Sequence, residues 1–288
     1  MSLRLTLPTH IRLNPHEQAA AFGRYHANRR RRAAEPKAAA FDFPTQLVGT
    51  TPDGNVTVYY DPSLGQPGAD LADQLFARVA TTYSDCQAFF NVPGQPVNVI
   101  IAAVNGPTDG SGGAYHYGCN FNPGNDLYCD AAFGNPDLTN GLVVAELTEC
   151  FMGAANAGWD CGASNGEALS RFLAEQLSGG PDGALAAYAT GPTWDRDGRP
   201  NWIDATEPTD QNPDSTGCGL VYLYWMMSKG FTAAQITQAG CPDGTLASNY
   251  AALMRGATTA WADFSAALTG LPGGIASDNP WGAISRLT

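Results

Sequence analysis

Strand-like patterns in this 288-residue chain are confined to residues 46–133, and from residue 137 onward every long pattern repeats with helical periodicity. That order points to an α+β protein with segregated halves: a mixed sheet with helices first, then a mostly helical second half. Gln46 to Tyr60 reads as two strands around the turn Thr51-Pro52-Asp53-Gly54-Asn55, the second alternating through Val56, Thr57, Val58, Tyr59 and Tyr60. Leu71, Leu75, Phe76, Val79, Ala80 and Tyr83 form a helical stripe within 69–90. Pro96 to Val104 is continuous and β-branched, as a buried strand would be. Two short strands are expected over 113–120 and 126–133. Helices follow over 138–157, 165–177, 216–228, 232–238 and 246–268, the last broken near Gly256.

Charge divides the chain differently. Residues 1–37 hold eight basic groups and two acids, about +6, which leaves seven basic groups against 25 acids, about −18, for the remainder. A basic N-terminal arm over 1–40, with a helix from Asn14 to Ala34, is therefore set apart from a domain over 41–288, itself divided into a sheet-containing half (41–136) and a helical half (137–288). The run Arg29, Arg30, Arg31 and Arg32 suits docking onto an acidic surface, in the same chain or in another copy. With a formal net charge of −12, a role in nucleic-acid binding is not expected. No apolar run approaches the ~20 residues of a membrane span, and the N-terminus lacks the apolar centre of a secretory signal.

Six of the seven cysteines fall into sequence-local pairs: Cys119 with Cys129, Cys150 with Cys161, and Cys218 with Cys241. Disulfides within those pairs are the expectation, and buried free thiols are the alternative. Together with 33 glycines and only two lysines (Lys37 and Lys229), they suggest an extracellular or particle-associated protein.

The chemistry-bearing text is Val144-Ala145-Glu146-Leu147-Thr148-Glu149, followed by Asn165-Gly166-Glu167-Ala168-Leu169-Ser170-Arg171. It resembles the zincin metallopeptidases, and among them the thermolysin-like gluzincins, whose active helix reads His-Glu-Leu-Thr-His and whose next helix reads Asn-Glu-x-x-Ser-Asp. The likeness covers residues 96–178 in order and spacing. Ser215-Thr216-Gly217-Cys218-Gly219-Leu220-Val221-Tyr222-Leu223-Tyr224-Trp225 is more faintly similar to a later helix of basic-secretory-type peptidases.

The resemblance implies a zincin-like fold with Glu146 in the place of the water-activating base and Glu149 and Glu167 in two of the metal-ligand places. The first histidine place holds Ala145, the second holds Glu149, and the aspartate that supports the first histidine is replaced by Arg171. A methyl group cannot coordinate zinc, and a catalytic zinc needs three protein ligands and an open position. The leading expectation is therefore a catalytically inactive metallopeptidase-like domain. It retains Glu146 as a vestige and substitutes an ion-pair cluster of Glu146, Glu149, Glu167 and Arg171 for the metal.

No cofactor is expected on that reading. If a metal binds, Glu149 and Glu167 are its ligands, zinc or calcium being the candidates. His116 is read as ordinary strand surface, with ligation from outside the usual set as the alternative. Such a domain serves as a binding or structural component for a protein, peptide or glycan partner, or as cargo of a larger bacterial particle, homo-oligomeric through its arm. The competing expectation is an active metal-dependent hydrolase in which Glu146 activates water at an atypical carboxylate site.

Overall fold

A computed structural model describes residues 44–103, 113–116, 119–121, 126–271, 274–282 and 287. The basic arm, its expected helix and Arg29, Arg30, Arg31 and Arg32 lie outside the described residues.

The first half holds a five-stranded mixed sheet in the order β1-β2-β3-β5-β4. Strands β1 (Gln46–Thr50) and β2 (Val56–Tyr60) form the expected antiparallel hairpin. The turn is fixed by Asp53: its carboxylate accepts from the Asn55 backbone N–H at 3.1 Å and from the Thr51 hydroxyl at 2.5 Å. Helix α1 (Gly65–Phe90) crosses over to β3 (Val97–Ala102), which pairs parallel with β2, Val56 opposite Val97. Its buried stripe of Leu71, Leu75, Val79, Tyr83, Cys86 and Phe90 keeps the i, i+4 spacing legible in the sequence. Strand β5 (Asp126–Asp130) pairs parallel with β3, and β4 (Ala114–Tyr115) pairs antiparallel with the far side of β5, Ala114 opposite Cys129.

The second half is helical throughout: α2 (Pro136–Ala155), α3 (Ser164–Leu177), α4 (Gly191–Arg196), α5 (Pro213–Ser228), α6 (Ala233–Gln238), α7 (Leu246–Leu253) and α8 (Ala260–Thr269). The α+β class is thus as the sequence indicated, with the short α4 added. Asn135 starts α2 by accepting from the Leu138 N–H at 3.1 Å, and Asn156, at φ 47°, ends it.

Helix α2 is buried on nearly every face, because α1, β4, β5 and α3 all pack against it. Phe151 anchors this centre, meeting the rings of Tyr83, Phe90 and Phe121 at 5.4, 5.9 and 4.8 Å. No helix among the described residues is long and apolar enough to cross a membrane.

The cysteine pairing differs from the expected one. A single disulfide among the described residues joins Cys119 to Cys161, with Cα atoms 5.7 Å apart, while Cys86, Cys129, Cys150, Cys218 and Cys241 are free thiols. Register explains the difference. Cys129 sits opposite Ala114 in the ladder and points into the core, whereas the chain runs five residues beyond Ala114 before it reaches Cys119. There it meets the C-terminal turn of α2, so closely that a Cβ on Gly153 would fall 1.4 Å from the Cys119 carbonyl oxygen. The loop leaving α2 brings Cys161 to the same place.

Candidate functional site

Two elements build the site. Glu146 and Glu149 stand three residues apart on α2 and so share a helix face. The residue after β4 is His116, carried there by the antiparallel pairing with β5. Its Nδ1 lies 2.6 Å from Glu146 Oε2 and 3.9 Å from Glu149 Oε2. All three side chains are enclosed: His116 is 1%, Glu146 8% and Glu149 5% exposed.

His116 is therefore not strand surface, and Glu146 and Glu149 are not solvent-facing. The segment carrying the imidazole is held at its far end by the Cys119–Cys161 bond and by Phe121 against Phe151. Cys129, on the neighbouring strand, reports the local field: burial pushes its thiol well above the ordinary value, and the charges of Glu146 and Asp130 push it further.

One donor atom from each of His116, Glu146 and Glu149 can be chosen so that all lie within 4.8 Å of one another. Cys119, Asp160 and Cys161 meet the same distance condition, but the two sulfurs are bonded to each other and offer no thiolate. Glu167, in the first turn of α3, is half-buried and does not belong to either group.

Arg171 sits one turn further along α3 and is buried. Its charge acts on the carboxyls of Glu175 and Asp278. Of the residues the sequence grouped as one cluster, Glu146 and Glu149 meet His116, and Arg171 acts on carboxyls of the helical half.

Those carboxyls are a buried acid pair. Tyr224 on α5 donates its hydroxyl to Glu175 Oε2 at 2.6 Å and accepts from Gln176 Nε2 at 3.0 Å. Asp278 reaches in from the C-terminal segment, where its Oδ1 accepts from the backbone N–H groups of Thr190 at 2.9 Å and Gly191 at 2.5 Å. Glu175 and Asp278 act on each other electrostatically. Desolvation drives Glu175 well above the ordinary carboxyl range, and the Asp278 charge adds to it. Burial raises Asp278 as well, against the pull of Arg171 and the two backbone amides.

Asn165 of the motif proves architectural: its amide donates to the carbonyls of Gly158 and Gly244, each at 2.9 Å, fastening two loops to the start of α3. Trp159, between α2 and α3, and Trp194, on α4, are buried anchors that donate to the Thr237 and Pro200 carbonyls at 2.7 and 2.9 Å. Asp278 was not legible in the sequence, since a single aspartate in a Gly- and Pro-rich tail carries no periodic signal. Comparison with family models, curated proteins and solved structures gave no match.

Proposed function

We propose that this chain is a metallopeptidase-like domain that has given up peptide hydrolysis and acts as a binding or structural component. The observation behind this reading is the state of Glu146. In the place of a water-activating base, its carboxylate lies 2.6 Å from an imidazole nitrogen in a closed interior. A general base needs a free lone pair facing substrate water. Here Oε2 of Glu146 is engaged by His116.

Ala145 in the first ligand place and Arg171 in the place of its supporting aspartate favour the same conclusion. Placement of the edge strand β4 against the motif helix α2 is compatible with a zincin-like origin. The partner class that fits is a protein, peptide or glycan, with the basic arm contributing to assembly. A disulfide fits an oxidising, extracellular or particle-enclosed setting.

The test is a peptidase and glycosidase assay on the full chain with added Zn²⁺, Ca²⁺ and Mn²⁺, run beside Glu146→Gln. Equal background turnover in both supports the reading. Metal-dependent turnover that Glu146→Gln abolishes overturns it in favour of the hydrolase.

A further inference from the structure

We propose that His116, Glu146 and Glu149 form a binding site for one divalent first-row metal ion, of which Zn²⁺ is the working probe, and that the ion clips the β4 segment to α2. This goes beyond the loss of peptidase activity and does not depend on it.

Geometry comes first. Ligands at about 2.1 Å from a tetrahedral ion lie about 3.4 Å from one another. His116 Nδ1 and Glu149 Oε2 stand 3.9 Å apart, and His116 Nδ1 and Glu146 Oε2 2.6 Å. Moving each side chain by less than an ångström converts this cluster into a three-ligand site. The backbone does not have to move, because two donors ride on one face of a packed helix. The third is positioned by strand pairing, the Cys119–Cys161 bond and the Phe121–Phe151 contact.

Charge comes second. Two ionised carboxylates and a neutral imidazole carry −2, which a divalent cation balances, and burial makes that balance count. Donor type then selects the ion. One imidazole with two carboxylates suits a borderline cation, whereas Ca²⁺ takes six to eight oxygens.

The ligand roles also differ from those that the sequence suggested. Glu146 becomes a ligand and is consumed as a base, while Glu167 stays outside the donor group. A metal held in this way joins the edge of the sheet to the central helix and takes Glu146 out of the role of base.

The experiment uses the full chain, stripped with chelator and then titrated with Zn²⁺, with elemental analysis after desalting and calorimetry for affinity. The expected result is one zinc per chain and a raised unfolding temperature. Glu149→Gln and His116→Ala should each weaken binding more than the ~10–100-fold typical of losing a supporting hydrogen bond. Glu149→Gln is isosteric and, with circular dichroism to verify folding, answers the question even if His116→Ala does not fold.

A stoichiometry below about 0.1 overturns the proposal, as does binding in both variants at the affinity of the parent. Zinc bound without peptide hydrolysis upholds both readings. Zinc bound with hydrolysis upholds the site and overturns only the proposed loss of activity.

Discussion

Glu175→Gln tests the buried acid pair directly. The wild-type carboxyl is 1% exposed, accepts from Tyr224 and is raised further by the charge of Asp278, which is fully buried. A carboxyl whose folded value is raised holds its proton more tightly folded than unfolded. Its contribution is therefore complete below the unfolded value, near 4.3, and is lost as the pH climbs through the folded one. One such proton gives a limiting slope of about 1.4 kcal/mol of stability lost per pH unit across that window. Asp278, also raised by burial, contributes with the same sign.

Glutamine keeps an acceptor for Tyr224 and a permanent N–H for Asp278, but it cannot titrate. At pH 5, close to the unfolded value, the variant should lie within about 1 kcal/mol of wild type. Above that pH the wild-type stability should fall away from the variant's. Urea unfolding followed by tryptophan fluorescence from pH 5 to 8 reads both curves. Parallel curves, or a variant that loses more than about 3 kcal/mol at pH 5, would refute the raised Glu175 carboxyl. Asp278→Ala is the control: stranding Glu175, Arg171 and two amides should cost about 3–5 kcal/mol.

Two further outcomes follow from the scaffold. Reducing the Cys119–Cys161 bond, or replacing both residues with serine, should cost about 4 kcal/mol for a closed span of 42 residues, measured as a fall in unfolding midpoint; no change with dithiothreitol would refute it. Asn165→Ala removes two amide donations to loop carbonyls and should cost about 2 kcal/mol in urea unfolding. A loss below about 0.5 kcal/mol would show that the loops hold without it.

What the sequence made legible was local. The stripe of α1, the alternation of β2 and the apolar density of α2 are each set by neighbours within a few residues, and they appear where the periodicity placed them. The α+β order follows from them. Long-range partners were not legible. His116 looked like surface because β4 is only two residues long, and its burial comes from α2 beyond β5. Cys119 looked like a partner for Cys129 because they are close in sequence, but strand register turns Cys129 into the core. Arg171 shares a helical row with Glu167, yet its charge is met by Asp278, 107 residues later in the chain. In each case, a contact fixed only by the assembled fold decides what the side chain does.

Strand β4 comes before β5 in the chain but lies outside it in the sheet, so β5 is its ladder partner among the described residues. The edge carrying His116 and Cys119 lies on a core that encloses Cys86, Cys129, Cys150 and Cys218. Burial then limits oxidation: of the five cysteines outside the disulfide, four are enclosed and Cys241 alone is partly exposed. Oxidant supplied to the folded chain finds Cys86, Cys129, Cys150 and Cys218 closed off. Supplied to the unfolded chain, it meets all seven.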